Sequence, residues 1–340
     1  MSELLAGLPA AHRALLTVAP PGVELAAHPM LAQPSDRREF DDGWVFERKL
    51  DGVRVLAVCE PDAAQPVRLL SRRGNDLGAT YPELVAALAG QGRAHFTVDG
   101  EVVALAHGRT DFARLQRRMG LTDPRRARAT GIAVTYYLFD LLALDGYRTT
   151  ALPLRVRKSL LRRALTYREP LRLTTHRNHG GQDLLDQACA RGWEGLIAKR
   201  AQGRYQPRRS PDWLKLKCAR GQEFVIGGYT EPAGGRTGFG ALLLGHYAQG
   251  RLRYAGKVGT GYTEAVLRRL RAQLDALTSE RSPFADPVRE RGAHWVRPEL
   301  VAQVAFTEWT RDGMLRHPRF LGLREDKAAR EVVREEPAGR

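Results

Sequence analysis

The chain has 340 residues and a formal net charge of +16, from 54 lysines and arginines against 38 aspartates and glutamates. Its 43% hydrophobic content suffices for a packed core and argues against wholesale disorder. No apolar run reaches the roughly eighteen residues that a membrane span needs, and the charge surplus implies a polyanionic partner, nucleic acid by default, against the plainer alternative of an arginine-rich proteome.

Residues 1–27 are apolar and proline-punctuated, with no cationic segment ahead of the apolar stretch; they do not read as a signal peptide and form an extension without an assignable role. "HPMLAQ" leads into "WVFERKLDGVRV", a strand pattern interrupted at Lys49-Leu50-Asp51-Gly52. Glycine inside a strand pattern marks a bulge, a bend or a close backbone approach to a ligand, while a charged edge strand ending in an Asp-Gly turn would give the same letters. "PVRLLSRRGNDL" predicts a strand closed by a turn, "YPELVAALAG" a short helix, and "HFTVDGEVVAL" a hairpin or bent strand around Asp99-Gly100. "FARLQRRMG" has helical spacing, "AVTYYLFDLLALDG" is a buried strand with a turn at Asp145-Gly146, and "LPLRVRKSLLRRALTY" is an amphipathic basic helix. "GQDLLDQACARGW" is a further helix, followed by the strands "EGLIAKR" and "DWLKLKC". Beyond about residue 220 the texture changes to short strands, Gly-rich turns and the helix "TEAVLRRLRAQLDAL", which fits a small, partly open barrel such as the OB-fold.

The three cysteines, Cys59, Cys189 and Cys218, are odd in number, far apart and without a Cys-x-x-Cys, so neither a disulfide frame nor a zinc ribbon is expected. A reducing cytosol fits. The lysines say more. There are seven (Lys49, Lys158, Lys199, Lys215, Lys217, Lys257 and Lys327), leaving 54 − 7 = 47 arginines. A chain that uses arginine so freely is expected to keep lysine where a free amine or a compact point charge is needed.

Five of these lysines fall in an ordered set of strand-associated elements: "KLDGVR", "SRRGND", "DGEV", "EGLIAKR", "WLKLK" and, near the end, "RHPRFLGLREDK". Chemically the set describes a nucleotide site with a covalent step. Lys49 is the nucleophile candidate, with its pKa lowered by desolvation and neighbouring cations. Lys199, Lys215 and Lys217 alternate along strands toward one pocket, where they would depress Lys49 and stabilise a phosphoryl group in transfer. Glu101 and Glu194 would hold magnesium. Phe139 would stack on a base or simply pack in the core.

These elements resemble the nucleotidyltransferase motifs of ATP-dependent DNA ligases, nearest to bacterial ligases of the end-joining type; "GKVGTG" and the Arg-x-Asp-Lys ending are especially similar. The resemblance covers about residues 28–328. It implies an α+β chain: an adenylation domain of antiparallel sheets with flanking helices over 28–220, an OB-fold over 221–330, and a tail over 331–340. It implies that Lys49 carries AMP, that Glu47 bonds the adenine amino group, and that Phe139 stacks on the ring. Arg54 and Arg72 would contact AMP and the DNA end. Glu101 would serve the ribose or a metal and Glu194 the metal. Lys199, Lys215 and Lys217 would meet the α-phosphate, and Arg324, Asp326 and Lys327 would orient the pyrophosphate. ATP and magnesium (or manganese) are the implied cofactors. The implied partner is nicked or broken duplex DNA, with a separate end-bridging protein and a separate polymerase or nuclease. A cytoplasmic, nucleoid-associated monomer is the corresponding expectation. Leu50 and Val53 stand where relatives often carry aromatics.

Rival enzymes are an RNA ligase or an RNA capping guanylyltransferase, which share the lysine chemistry; a non-catalytic nucleic-acid-binding module is the rival from another class. "GGRTGFGALLLG" lacks the ending and context of a phosphate loop and reads as a turn between strands. His176 and His179 have helix-like spacing but no third metal ligand nearby. Lys257 is expected to meet DNA phosphate or cap a turn. The basic stretches "RRMGLTDPRRAR" and "LRVRKSLLRRAL" lean toward phosphate contacts over a solvated face.

Overall fold

Largely buried strands build the first of the two units. The computed structural model describes residues 2–92, 95–106, 108–218, 221–232, 238–310 and 312–335. The chain divides after Cys218 into two compact units.

Among the described residues the first unit holds two sheets. The larger runs in the order Thr17–Val18, Tyr147–Arg148, Val134–Leu144, Phe96–Ala106, Val53–Cys59, Val67–Ser71. Its central strands are buried almost throughout, because one face packs on the main core and the other on a second cluster around Met30, Leu56, Phe139 and Trp213. The smaller sheet runs His176–Arg177, Trp44–Arg48, Gly195–Arg200, Arg209–Lys217, Leu31–Pro34. Both are antiparallel apart from Leu171–Leu173 on the first and Leu31–Pro34 on the second.

The interrupted strand pattern around Lys49 is thereby explained. Trp44–Arg48 belongs to the smaller sheet and Val53–Cys59 to the larger, and residues 49–52 are the crossing between them. A Cβ on Gly52 would lie 2.2 Å from the Val102 carbonyl oxygen, so the close approach is to a neighbouring strand. Asp99-Gly100 is not a hairpin: Phe96–Ala106 is one strand with a register shift there, and Gly100 is needed because a Cβ would come within 2.4 Å of the Tyr136 ring. The turn at Asp145-Gly146 forms as expected, with φ of 46° and 79°.

Residues 2–27 are integrated into this unit. Leu5 is fully buried in the main core, and Thr17–Val18 pairs with Tyr147–Arg148. Cys189 and Cys218 form a disulfide, with Cα atoms 5.2 Å apart, contrary to expectation. Helix Gly181–Ala190 packs on the apolar face of the smaller sheet and brings Cys189 to the end of strand Arg209–Lys217, a proximity that 29 residues of separation conceal. Cys59 is free and buried.

In the second unit, Gly221–Thr230 pairs with Leu242–Ala248, which pairs with Arg251–Val258; its other edge pairs with Val301–Ala305, which pairs with Arg319–Leu323. The backbone bond from Phe320 N to Thr260 O, 3.0 Å, joins the last strand to the segment after the third. These five strands form the partly open barrel of the OB-fold, to which Ala293–Val296 and Thr278–Ser279 add two more in the same sheet, and helix Glu264–Asp275 seats Leu267, Leu270 and Leu274 in its core. Part of "GGRTGFGALLLG" lies outside the described residues. Among the described residues no helix is long and apolar enough to cross a membrane.

Candidate active site

Period-two alternation sorts the smaller sheet into two faces. Trp44, Phe46, Leu196, Ala198, Leu214 and Leu216 face the helix Gly181–Ala190. The opposite side chains are Glu47, Ile197 and Lys215 on one rung, and Lys199 and Trp213 on another. Gly195 and Lys217 pair on a third rung, to which Lys49 is tied by its N–H donating to the Gly195 carbonyl at 2.9 Å. Gly195 has a φ of +146°, and a Cβ there would lie 2.0 Å from the Leu216 carbonyl oxygen. Glycine at 195 therefore allows Glu194 to sit immediately beside Lys49.

Lys49 Nζ lies 2.5 Å from Glu194 Oε1, with both side chains about one-fifth exposed (17% and 26%). Burial alone would lower the lysine pKa, but Glu194, then Asp51 and Glu101, outweigh it and hold the ammonium above its ordinary range. This reverses the expected direction. Lys199 cannot depress Lys49 as expected because its charge is committed elsewhere: it is 2% exposed, with Nζ 2.7 Å from Glu47 Oε2. Its own pKa is lowered, chiefly by burial.

Glu47 is 3% exposed and gripped from two sides, by Lys199 and by Lys158 Nζ at 2.5 Å. Burial would raise its pKa, but the two ammoniums bring it below the usual carboxylate range. Lys158 comes from helix Leu154–Ala164, within the basic stretch expected to lean toward phosphate and outside the nucleotide motifs; its rarity as a lysine is the signal that sets it apart. That helix is not simply a solvated or phosphate-binding face. Arg157 is fully buried in a two-pronged pair with Asp140 (2.7 and 2.9 Å), and Lys158 is buried beside it. Arg118, in the other basic stretch, is likewise buried, donating to Glu83 and to the Thr80 and Ile132 carbonyls. Lys257 pairs with Glu290 at 2.6 Å.

Phe139 is 8% exposed and packs edge-on against Trp213, with Lys199 Nζ 4.2 Å and the Arg54 guanidinium 4.7 Å from its ring centre. Phe139 is therefore part of the packed cluster with Met30, Leu56 and Trp213. Arg54 forks onto the buried Asp99, which also accepts a hydrogen bond from the Tyr205 hydroxyl at 2.6 Å. Glu101 is Arg54's cross-strand partner, and Arg72 follows the edge strand Val67–Ser71. His176 is the cross-strand neighbour of Glu47, a placement the sequence did not suggest, whereas His179 pairs with Asp42 at 3.1 Å. In the second unit, Arg324 forks onto Asp326 (3.0 and 2.9 Å) and Lys327 pairs with Glu223 at 2.9 Å.

Glu194 Oε2 is buried without a hydrogen-bond partner, an acceptor suited to a hard cation. Among the described residues no group of three or more His, Cys, Asp or Glu side chains is arranged to hold a metal. Glu194 Oε2 is thus an acceptor position that would suit a magnesium ion whose shell is completed by waters and substrate oxygens.

Comparison with known proteins agrees with this geometry. Residues 29–217 match the model of the ATP dependent DNA ligase domain, and residues 235–327 that of the ATP dependent DNA ligase C terminal region. The multifunctional non-homologous end joining protein LigD of Pseudomonas aeruginosa is 44% identical over 305 residues, 87% of this chain and 35% of that protein. The LigD DNA repair protein of Mycobacterium tuberculosis is 41% identical over 300 residues, 86% of this chain and 37% of that protein. The chain thus spans about a third of the length of these relatives (35% and 37%). A solved structure, mycobacterial DNA ligase D complexed with ATP and MES, is 37% identical, with a TM-score of 0.65 over 92% of this chain and 99% of that one. With both family models in chain order on the two units, the chain belongs to the ATP-dependent DNA ligase family.

Proposed function

We propose that the chain seals 5′-phosphate/3′-hydroxyl breaks in duplex DNA through three in-line transfers, in the end-joining branch of DNA repair. The observation that carries this is Lys49, an amine fixed at the crossing of two sheets, beside Glu194 and on the face that carries Lys215 and Lys217. The Lys49 amine would attack the α-phosphorus of ATP, forming an N–P bond as pyrophosphate leaves. An oxygen of the DNA 5′-phosphate would then take the AMP, releasing the lysine. Attack by the 3′-hydroxyl would close the strand and expel AMP. The protein's part is chiefly positioning and charge stabilisation.

Glu194 gives Lys49 its control. Lys49 is an ammonium while Glu194 faces it and becomes a nucleophile only when that proton leaves. Glu101 and Glu194 would hold a magnesium or manganese ion, which when bound supplies positive charge to the phosphates. Lys215 and Lys217 would meet the α-phosphate, with Lys199 behind them. Glu47 would accept from the adenine amino group, with Phe139 against the ring. Arg54 and Arg72 would meet AMP and the DNA end. Arg324, Asp326 and Lys327 would orient pyrophosphate, the two cations by charge and Asp326 by holding Arg324. Broken duplex DNA, an end-bridging protein and a nucleoid-associated place in the cytoplasm complete the proposal.

The test is intact mass after incubation with magnesium and an equal mixture of ATP and GTP. An AMP adduct on wild type and none on Lys49→Ala is expected. A GMP adduct would shift the reading to a capping enzyme. A protein shown free of AMP as purified that takes up neither nucleotide would leave a binding module. Comparison of nicked with blunt-ended duplex then separates nick sealing from end joining.

A further inference from the structure

Lys158 is a buried charge that no part of the nucleotide chemistry uses directly. It is 5% exposed on helix Leu154–Ala164, beside the fully buried Arg157. Its ammonium donates to Glu47 Oε1 at 2.5 Å and to the Thr174 carbonyl at 3.4 Å. One side chain thus ties three pieces of chain together: the helix, the strand Trp44–Arg48 that runs on to Lys49, and the segment at Thr174. Two residues past Thr174, His176 is paired directly across from Glu47.

A buried carboxylate without such partners would take up a proton and turn from an acceptor into a donor. With Lys158 on one oxygen and Lys199 on the other, Glu47 is fixed in plane and kept acceptor-only. Each carboxylate oxygen retains a second lone-pair direction, so the group remains able to receive an N–H from a ligand. The hydroxyl of Thr174, buried without a hydrogen-bond partner, marks a further polar position beside this clamp.

We infer that Lys158 is a positioning residue for nucleobase selection: from outside the motif strands it holds Glu47 as an oriented acceptor, so that the site prefers a purine with an amine rather than a carbonyl at C6. This rests on the proposal that Glu47 meets the base. Lys158 is assigned no contact with the base or the phosphates, and its effect on the base runs through Glu47. The scarcity of lysine supports a specific need here. A compact ammonium can sit between the Glu47 carboxylate and the Thr174 carbonyl, whereas a planar guanidinium has its donors splayed in a fixed fork.

The experiment measures kcat and KM for lysyl-nucleotide formation with ATP and with ITP, whose base carries a carbonyl in place of the amine. It compares wild type, Lys158→Met, Glu47→Gln and the double variant. Lys158→Met is expected to raise KM for ATP about ten- to a hundredfold, by analogy with the loss of other supporting partners. It is expected to leave kcat much less affected and to bring the ATP/ITP ratio of kcat/KM toward one. In the Glu47→Gln background it is expected to add no further loss, because residues acting as one unit are not additive. An unchanged KM, equal losses for ATP and ITP, or losses that multiply in the double variant would each overturn the inference. If Lys158→Met does not fold, as judged by its thermal unfolding, Lys158→Gln is read in its place, since it keeps an N–H donor without the charge. A wild-type protein that forms no AMP adduct would instead overturn the proposed ligase reaction, so the two failures are distinguishable.

Discussion

The two faces of the smaller sheet use the same strands for opposite ends. On one, Trp44, Phe46, Leu196, Ala198, Leu214 and Leu216 are buried against the helix Gly181–Ala190. On the other, one residue away each time, stand Glu47, Lys49, Lys199, Lys215 and Lys217. The apolar face fixes where the strands lie, and the strands then hold charges at spacings they would not adopt in water. Burial sets stability on the first face and chemistry on the second. The two faces should therefore fail differently.

The largest effect belongs to the charged face. Lys49→Arg keeps a positive charge beside Glu194 but never offers a free amine, so lysyl-AMP formation should fall to the level of Lys49→Ala, with unfolding close to wild type. Intact mass and a denaturant titration on the same sample check both halves. Detectable adduct on the arginine variant would remove Lys49 as the nucleophile. The counterpart on the apolar face is Phe46→Ala. Phe46 is 3% exposed, and its truncation should cost about 3–5 kcal/mol of stability, while the folded fraction still takes up AMP. A variant with native stability, or a folded one without labelling, would show that the faces are not separable in this way.

Sequence periodicity carried much of this, and its limits are physical. The strands, the barrel and the break at Lys49 were legible because each is a local pattern: alternation, Gly-rich turns, an interrupted run. That the break is a crossing between sheets was not, since both flanks have strand letters. The Lys158–Glu47 bond spans 111 residues and the Arg54–Asp99 pair 45, and no local pattern encodes either. Cys189 and Cys218 meet only because a helix end and a strand end share the apolar face. The direction of the Lys49 pKa is hidden in the sequence for a related reason: the motifs place lysines around Lys49, whereas in space Glu194, Asp51 and Glu101 act on it most.

That acidic ring gives the next effect. Glu194→Gln removes the strongest attraction on the Lys49 proton, so the lysine pKa should fall. Attack needs the neutral amine, so the rate of AMP uptake rises as pH passes upward through the Lys49 pKa. The variant should reach its plateau at lower pH than wild type, even though its plateau rate is reduced by roughly ten- to a hundredfold through loss of a metal-supporting carboxylate. Rates of adduct formation from pH 6 to 10 (a span of about four units around the ordinary lysine range) would show it. A rise at unchanged or higher pH would mean that Glu194 does not govern the proton.

The smallest expected effect lies where the two faces meet in one property. Glu47 is on the charged face yet nearly as buried as Phe46, 3% exposed in each case, so it should contribute to stability as well as to binding. Its native pKa is depressed below the ordinary 4.5 by Lys158 and Lys199, against the upward pull of burial. A depressed carboxylate stabilises the fold above the unfolded-state value, and that contribution is lost as pH falls through the native value. Wild type should therefore exceed Glu47→Gln in unfolding free energy by about 1–3 kcal/mol at pH 7, as expected for a buried charge-assisted bond. The gap should hold down to about the ordinary value of 4.5 and narrow progressively below it, as the unfolded chain and then the native carboxylate take up a proton. Denaturant titrations of both proteins at pH 7, 5 and 3.5 (roughly bracketing the ordinary glutamate range) measure the gap directly. A gap that persists unchanged at the acid end would mean that the glutamine is simply a poor fit among the two lysines, and that the Glu47 charge adds nothing to the fold.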